Sequence, residues 1–249
     1  MNIGFFGCSF TEGGGLNSPT LNKWAIENNI VPKEYKAFGI QNENPDHPNC
    51  VRLQNNYRFS SLVGRELKCD TENFGVSRGS NETILNKLYE NYERFDICVV
   101  QFTQYSRKRI YDVDTDKFYD INGVERQKVP SGVLDFWGRF VTDHYSKPYE
   151  VYTITQLIDL YDKIFESLDK KVIWMFHDTI PFTKDIHSNI KIHESKNILY
   201  FEPEGHLHEF VEHNELTFTH ETDGVYVDGH FSFEGNRVIA NRIVEKINE

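Results

Sequence analysis

Two short segments at opposite ends of the chain carry the residue types of nucleophilic catalysis. Ser9 stands in Gly7-Cys8-Ser9-Phe10-Thr11, directly after the apolar run 3–6, and Asp228-Gly229-His230 precedes the last helical pattern. A serine becomes a nucleophile when an imidazole takes its proton, and that imidazole needs a carboxylate that holds its tautomer and balances its charge. Ser9, His230 and Asp228 are therefore candidates for nucleophile, base and orienting carboxylate, provided that the fold brings them together.

A third segment, residues 73–81 (NFGVSRGSN), has the composition of a turn that leads into a helix. Backbone N–H groups at such a turn are suited to stabilising an oxyanion. The segment also contains Gly75-Val76-Ser77-Arg78-Gly79, the Gly-x-Ser-x-Gly pattern of a nucleophile elbow, which makes Ser77 a second candidate nucleophile. An elbow of that kind follows several strands, and residues 10–56 offer none, so that Ser9 is favoured.

Cys8 is a third candidate nucleophile, because a thiolate attacks carbonyl groups readily. Adjacent side chains at this point should face opposite sides of the backbone, so that only one of Cys8 and Ser9 can face His230. We favour Ser9 and predict that Cys8 is a small buried apolar residue.

Apolar runs alternate with helical patterns along the chain, which predicts parallel strands joined by crossover helices. The strands are expected at residues 3–6, 69–74, 97–103, 172–177 and 198–201, and the helices at 57–67, 81–95, 153–168 and 233–248, with Ser80 or Asn81 as an N-cap. Residues 12–56 are expected to be loops with at most one short helix near Trp24. The pattern predicts an α/β fold, a three-layer α/β/α sandwich around a parallel sheet of about five strands, with the ligand at the carboxyl ends of the strands.

Residues 105–150 interrupt this alternation and are predicted to be an insertion that covers or flanks the site. Residues 110–129 have the pattern of a charged hairpin with its turn at 120–123, and an aromatic stretch follows with Phe136, Trp137, Phe140 and Tyr145. Packing of these aromatic residues on the sheet is favoured over a surface that stacks sugars. Arg107 is interpreted as an exposed loop residue in preference to a ligand for a substrate carboxylate or phosphate. No Pro/Gly/Ser-rich linker divides the chain, so that residues 1–249 are predicted to form a single domain.

The composition argues against several classes of protein. Lys and Arg total 27 and Asp and Glu 38, a net charge of −11 that argues against nucleic acid or an anionic membrane as partner. Aromatic residues make up 14% of the chain, which is too many for a disordered protein. No apolar run approaches the roughly 18 residues of a membrane span.

The first residues and the cysteines indicate a compartment. The chain begins without the basic start and the apolar stretch of a secretory signal, and its four cysteines lie far apart, so that we expect a reduced, cytoplasmic protein. No metal site is expected. The acidic run 112–116 continues with Lys117 where a calcium loop needs glycine, and although the histidines at 206, 208 and 213 could ligate a transition metal, nothing in the sequence shows that they converge.

Taken in order, these segments resemble the sequence blocks of the SGNH (GDSL-like) hydrolase family, and the resemblance spans nearly the whole chain. Gly7-Cys8-Ser9 stands for the family's Gly-Asp-Ser, residues 73–79 for its Asn-x-Gly/Ala-x-x-Gly, and Asp228-Gly229-His230 for its Asp-x-x-His. The family's third block follows the central strand, here residues 97–103, but its asparagine is absent and Gln104 stands nearby. The resemblance implies the flavodoxin-like layering already expected from the pattern.

The resemblance also implies a role for each residue. Ser9 would be the nucleophile and its N–H an oxyanion donor, His230 the base and then the acid, and Asp228 the carboxylate that orients His230. Further oxyanion donors would be the N–H of Arg78 or Gly79 and, in place of the missing asparagine, the side chain of Gln104.

The family needs no cofactor or metal and acts on esters, often on carbohydrates, which implies a small-molecule or carbohydrate ester as substrate. Two alternatives stay open. One is an acyltransferase with the same triad, and the other, motivated by the altered blocks, is a binding protein whose catalytic site has decayed.

Overall fold

The fold is described by a computed structural model that covers residues 1–16, 48–121, 129–144, 146–177, 195–201, 206–217 and 230–249. In chain order, the elements are β1 (Asn2–Gly7), α1 (Ser9–Glu12), α2 (Pro48–Tyr57), α3 (Phe59–Leu67), β2 (Asp70–Gly75), α4 (Asn81–Asn91), a 3₁₀ turn (Tyr92–Arg94), β3 (Ile97–Phe102), β4 (Lys108–Asp112), β5 (Lys117–Ile121), α5 (Ser131–Arg139), a π-helical turn (Phe140–His144), α6 (Lys147–Ser167), β6 (Lys171–Phe176), α7 (Leu207–His213) and α8 (Phe233–Asn248).

Four parallel strands form the central sheet in the order β2-β1-β3-β6, which confirms the predicted α/β class. The predicted strand at 198–201 is represented by a single parallel bridge between Trp174 and Ile198. Its backbone bonds run from Trp174 N to Asn197 O (3.0 Å) and from Leu199 N to Trp174 O (2.9 Å). The described sheet therefore has four strands and one bridged segment at its edge, against the expected five.

Helices cover both faces of the sheet, because side chains alternate between the faces along each strand. Phe6, Val100 and Trp174 pack on one face, against the buried side chains of α4 and α6. Phe5, Val99 and Ile173 pack on the other face, against α3, α7 and α8. All six residues of β3 are buried, as expected for a strand with helices on both sides. None of the helices in the described ranges is long and apolar enough to span a membrane.

Residues 48–57 form a ten-residue helix, α2, so the expectation of loops up to residue 56 was wrong there. Pro48 occupies its first turn, where a missing N–H costs nothing, and Cys50 and Leu53 are buried at helical spacing. Two buried side chains are a weak periodic signal, and α2 depends on its packing beside α3 and α8. The helix expected near Trp24 lies outside the described residues.

The predicted insertion does contain a hairpin, but its turn lies at residues 113–116 and not at 120–123. β4 and β5 pair in antiparallel register with Asp112 opposite Lys117. Asp116 adopts a left-handed φ of 53°, and Thr115 Oγ1 donates to Asp112 Oδ2 over 2.6 Å, which closes the turn early. Residues 122–123 lie outside the described residues. The helix predicted from residue 153 begins at Lys147, which shortens the insertion.

Asn236 links α8 to the start of α3 through hydrogen bonds of both its amide oxygen and its amide nitrogen. It is 1% exposed, its Oδ1 accepts from Phe59 N (2.9 Å), and its Nδ2 donates to the carbonyls of Phe231 (3.1 Å) and Ser232 (3.0 Å). We expect Asn236→Ala to lower the free energy of unfolding by about 2–4 kcal/mol, because it leaves buried backbone groups without partners. Urea denaturation measures this, with the exposed Asn241→Ala on the same helix as control. A loss as small as that of the control would contradict this role.

Candidate active site

Ser9 and His230 meet at the carboxyl edge of the parallel sheet. Ser9 is the first residue of α1, directly after β1, and is 8% exposed. Its Oγ lies 2.9 Å from Nε2 of His230, a contact between residues 221 positions apart in the chain. This is the distance at which an imidazole can take the proton of a serine hydroxyl.

The turn from β1 into α1 depends on Gly7. A Cβ at Gly7 would overlap Oγ1 of Thr11, so that a larger residue could not follow this path. Cys8 is fully buried in the apolar core on the α4 side of the sheet, as predicted, whereas Ser9 faces His230. The two neighbours therefore occupy different environments, which is the arrangement expected of adjacent side chains at a strand end.

Gly14 leaves the space in which the ring of His230 lies. A Cβ at Gly14 would stand 2.6 Å from both Cδ2 and Nε2 of His230. The N–H of Gly14 donates to Ser9 O over 2.7 Å, so that the same residue fastens the backbone of the serine. Phe10 also packs against this ring, with its ring centre 4.7 Å from that of His230 and 4.3 Å from that of His177.

Asp228 lies outside the described residues, so its distance to His230 is not part of the site geometry. Within the described ranges, a carboxylate that attracts His230 is Glu12, which lies one helical turn after Ser9. Burial raises the pKa of Glu12 above its usual value, against the opposing attraction of His230 and Arg58. Sequence analysis missed Glu12; its i, i+3 spacing from Ser9 on a helical turn was the available signal.

The turn at 73–81 is fastened to α1 by Asn73. Its Nδ2 donates to Thr11 O (2.6 Å) and Ser60 Oγ (2.8 Å), and its Oδ1 accepts from Gly75 N (2.9 Å). Gly75 lies against the backbone of α1, where a Cβ would overlap Glu12 N. The segment predicted to supply oxyanion donors therefore lies beside the helical turn that carries Ser9.

The predicted oxyanion donors differ in their surroundings. The N–H of Gly79 donates to Val76 O over 2.9 Å and so takes part in the turn itself. Arg78 is exposed and has a left-handed φ of 64°, a conformation that favours glycine. Gln104 is exposed just after β3. The rival nucleophile Ser77 is also exposed, and no hydrogen bond to a histidine is described for it.

The start of α4 carries a carboxylate instead of an open row of donors. Asp120, from the hairpin strand β5, accepts from Ser80 N (3.2 Å), Ser80 Oγ (2.7 Å) and Thr83 Oγ1 (2.6 Å). Ser80 is the N-cap, with its Oγ accepting from Thr83 N over 3.2 Å. A carboxylate at a helix start is favoured by the helix dipole, so Asp120 occupies the position that an anion would take there.

The described aromatic residues and histidines that were considered from sequence lie on α5 and at the start of α7. Phe136 is exposed and Trp137 is half-buried on α5, and Tyr145 lies outside the described residues. His206 and His208 lie at the start of α7, with Nε2 atoms 3.3 Å from carboxylates of Glu209 and Glu212. No group of three His, Cys, Asp or Glu side chains in the described ranges is placed to hold a metal ion.

No family model and no curated protein matches the chain. Among solved structures, it is similar to a candidate lipolytic protein of the G-D-S-L family from Desulfitobacterium hafniense DCB-2, with 11% sequence identity, coverage of 98% of each chain and a TM-score of 0.38.

Proposed function

We propose that this chain is a serine hydrolase of the SGNH type that cleaves an ester through an acyl-enzyme on Ser9. The observation that carries the proposal is the 2.9 Å contact between Ser9 Oγ and His230 Nε2 at the carboxyl edge of the parallel sheet. Ligands of open α/β sheets bind at that edge. The block order of the sequence is a second support, because it pairs the same two residues independently of the contact.

In the proposed reaction, Ser9 Oγ attacks the carbonyl carbon of the ester while its proton passes to His230 Nε2. The carbonyl electron pair moves to the oxygen, which is stabilised by the N–H of Ser9, the N–H of Arg78 and the side chain of Gln104. Collapse of this intermediate breaks the ester C–O bond, and His230 returns the proton to the departing alkoxide. His230 then takes a proton from a water molecule, whose oxygen attacks the acyl carbon. Collapse of this second intermediate breaks the bond to Ser9 Oγ and releases the acid, and His230 returns the proton to Ser9 Oγ.

We assign Asp228 as the residue that orients His230 and balances the imidazolium. Glu12, one helical turn after Ser9, is a further carboxylate that would favour the imidazolium. The substrate class that fits the resemblance is a small-molecule or carbohydrate O-acyl ester. No cofactor takes part in any of these steps.

The identity of the nucleophile is tested by labelling with a fluorophosphonate and locating the adduct by peptide mass spectrometry. We expect the adduct on Ser9, loss of labelling in Ser9→Ala, and full labelling in Ser77→Ala. The second variant is the control, because Ser77 is the exposed serine of the competing Gly-x-Ser-x-Gly pattern. An adduct on Ser77, or no adduct on the folded protein, would overturn the proposed function.

A further inference from the structure

A small cavity of about 150 Å³ lies beside the start of α4. It is enclosed by the first turns of α4, the loop after β3 and the first half of α6. Asn81, in its wall, is tied to the end of β3 by hydrogen bonds with the backbone of Thr103, at 2.8 Å to N and 3.3 Å to O. The cavity therefore lies at the same edge of the sheet as Ser9. With about 30 Å³ taken by each water molecule in the liquid, it is large enough for a small polyatomic ion.

Arg107 lines this cavity, and the expectation of an exposed loop arginine was wrong. Its Nε and Nη1 are buried and have no hydrogen-bond partner among the residues that the structure describes. The backbone is held in place by a hydrogen bond of 3.2 Å from Arg107 N to Gln104 O. A buried guanidinium with unused donors is costly for a folded chain. An oxyanion would satisfy one of these donors, because a carboxylate or phosphate oxygen accepts a charge-assisted hydrogen bond from a guanidinium N–H.

The neighbouring cation, Lys108, is already engaged. Its Nζ lies 3.0 Å from Glu82 Oε1 and 2.7 Å from Glu150 Oε2. Burial acts to lower the pKa of Lys108, but hydrogen bonds and charge from the two glutamates outweigh it and raise the pKa, so that the ammonium stays charged. Lys108 balances one of the two carboxylates, so the three groups keep one negative charge, which the positive charge of Arg107 offsets. Arg107 lines the cavity with two donors that have no partner among the described residues.

Glu82 contributes a hydrogen-bond acceptor to the same cavity. While its Oε1 accepts from Lys108, its Oε2 is buried without a hydrogen-bond partner among the described residues. A carboxylate oxygen in that state needs a donor. The cavity therefore presents donors at Arg107 and an acceptor at Glu82, which a ligand with both an oxyanion edge and a hydroxyl group would satisfy together.

We propose that this cavity binds an oxyanion that also carries a hydroxyl group, a phosphate or a hydroxycarboxylate, through the Arg107 guanidinium and Glu82 Oε2. The ligand's anionic oxygen accepts from a buried N–H of Arg107, and its hydroxyl donates to Glu82 Oε2. The site is distinct from the Ser9–His230 pair, and its ligand is either an anionic part of the ester substrate or a separate ion. Binding itself does not depend on the proposed hydrolysis; only the substrate origin of the oxyanion rests on it.

Isothermal titration calorimetry with inorganic phosphate and with lactate tests the site. We expect both to bind, and Arg107→Gln to weaken binding on the order of 10- to 100-fold, since hydrogen bonds to a charged group are lost. Arg109→Gln is the matched control, because it removes the same charge from the hairpin, where the guanidinium lies over the Phe118 ring at 4.3 Å. Equal binding by wild type and Arg107→Gln, or no binding at all, would overturn the proposal.

The part assigned to Glu82 is tested with a ligand that has no hydroxyl group. Propionate lacks the hydroxyl of lactate, and we expect it to bind several-fold more weakly; equal binding would refute the part assigned to Glu82.

Without ligand, Arg107→Gln should be at least as stable as wild type, because no described hydrogen bond of the guanidinium Nε or Nη1 is lost. A marked fall in its melting temperature would show that the folded chain already satisfies Arg107, and the proposal would fail.

Ester kinetics distinguish the two sources of the oxyanion. The pair of probes is 4-nitrophenyl hydrogen succinate, which is anionic, and 4-nitrophenyl butyrate, which is neutral. If Arg107→Gln lowers kcat/KM for the succinate ester alone, the oxyanion belongs to the substrate. If Arg107→Gln leaves kcat/KM unchanged for both esters while phosphate still binds through Arg107, the oxyanion is a separate ligand. If neither ester reacts, the proposed function fails while the phosphate result stands.

Discussion

Replacing His230 with alanine is expected to reduce ester hydrolysis by on the order of 10⁴- to 10⁶-fold, the range seen when the base of a serine hydrolase is removed. The reason lies in the contact of 2.9 Å between its Nε2 and Ser9 Oγ. Without the imidazole, the hydroxyl keeps its proton and remains a weak nucleophile, and the departing alkoxide has no acid to protonate it. The measurement is kcat/KM for an activated ester under identical conditions.

The matched control for this change is His144→Ala. His144 lies exposed in the π-helical turn and lacks any described contact with Ser9. Its removal should leave the rate unchanged. Added imidazole should restore part of the activity of His230→Ala, because it can enter the space that the ring vacates. A rate in His230→Ala close to that of wild type would exclude His230 as the base.

The second large effect is expected from Gly14→Ala, with a loss of kcat on the order of 10²-fold. The added Cβ would lie 2.6 Å from two ring atoms of His230 and 3.0 Å from Ser9 O, so that the ring must move. A displacement of about 1 Å at a catalytic group costs about this factor. Gly14 is not among the glycines of positive φ, so the effect comes from the collision and not from backbone strain.

Gly138→Ala provides the control for this prediction. Nothing lies within 4 Å of a Cβ at Gly138, which is part of helix α5. That substitution should preserve kcat and raise helix stability slightly. Urea denaturation should show that Gly14→Ala still folds, and fluorophosphonate labelling of Ser9 should slow in parallel with kcat. If Gly14→Ala kept the wild-type kcat, the arrangement of Gly14 and His230 described above would be incorrect.

Local patterns were sufficient to predict the strand that precedes Ser9 and the helix that follows His230, whereas the short helix α1 that begins at Ser9 was not predicted. The run 3–6 became β1, and the last helix has the predicted bounds, because each pattern is long or apolar enough to decide its own conformation. Ser9 and His230 were also singled out from sequence, since a strand end and a helix start are positions at which chemistry is common. The distance between Ser9 Oγ and His230 Nε2 depends on the whole fold and is known only from the structure.

The residues that escaped prediction depend on contacts between distant parts of the chain. Gly14 matters because a ring from the far end of the sequence lies against it, and Glu12 because that same ring attracts it. Arg107 sits in a polar loop, and only the approach of α4 and α6 buries it. Sequence periodicity reports which face of an element is apolar, but it carries no record of which elements become neighbours.

The hydrogen bonds of Asp120 have a consequence for engineering the protein. They join the base of the β4–β5 hairpin to the start of α4, so that we expect the hairpin and the helix to move together as a rigid unit. The tip at residues 113–116 is exposed and far from these bonds in the hairpin ladder. An affinity tag or a fluorophore grafted into the tip should therefore be tolerated, whereas a graft at the base would loosen the helix that follows β2 at the carboxyl edge of the sheet.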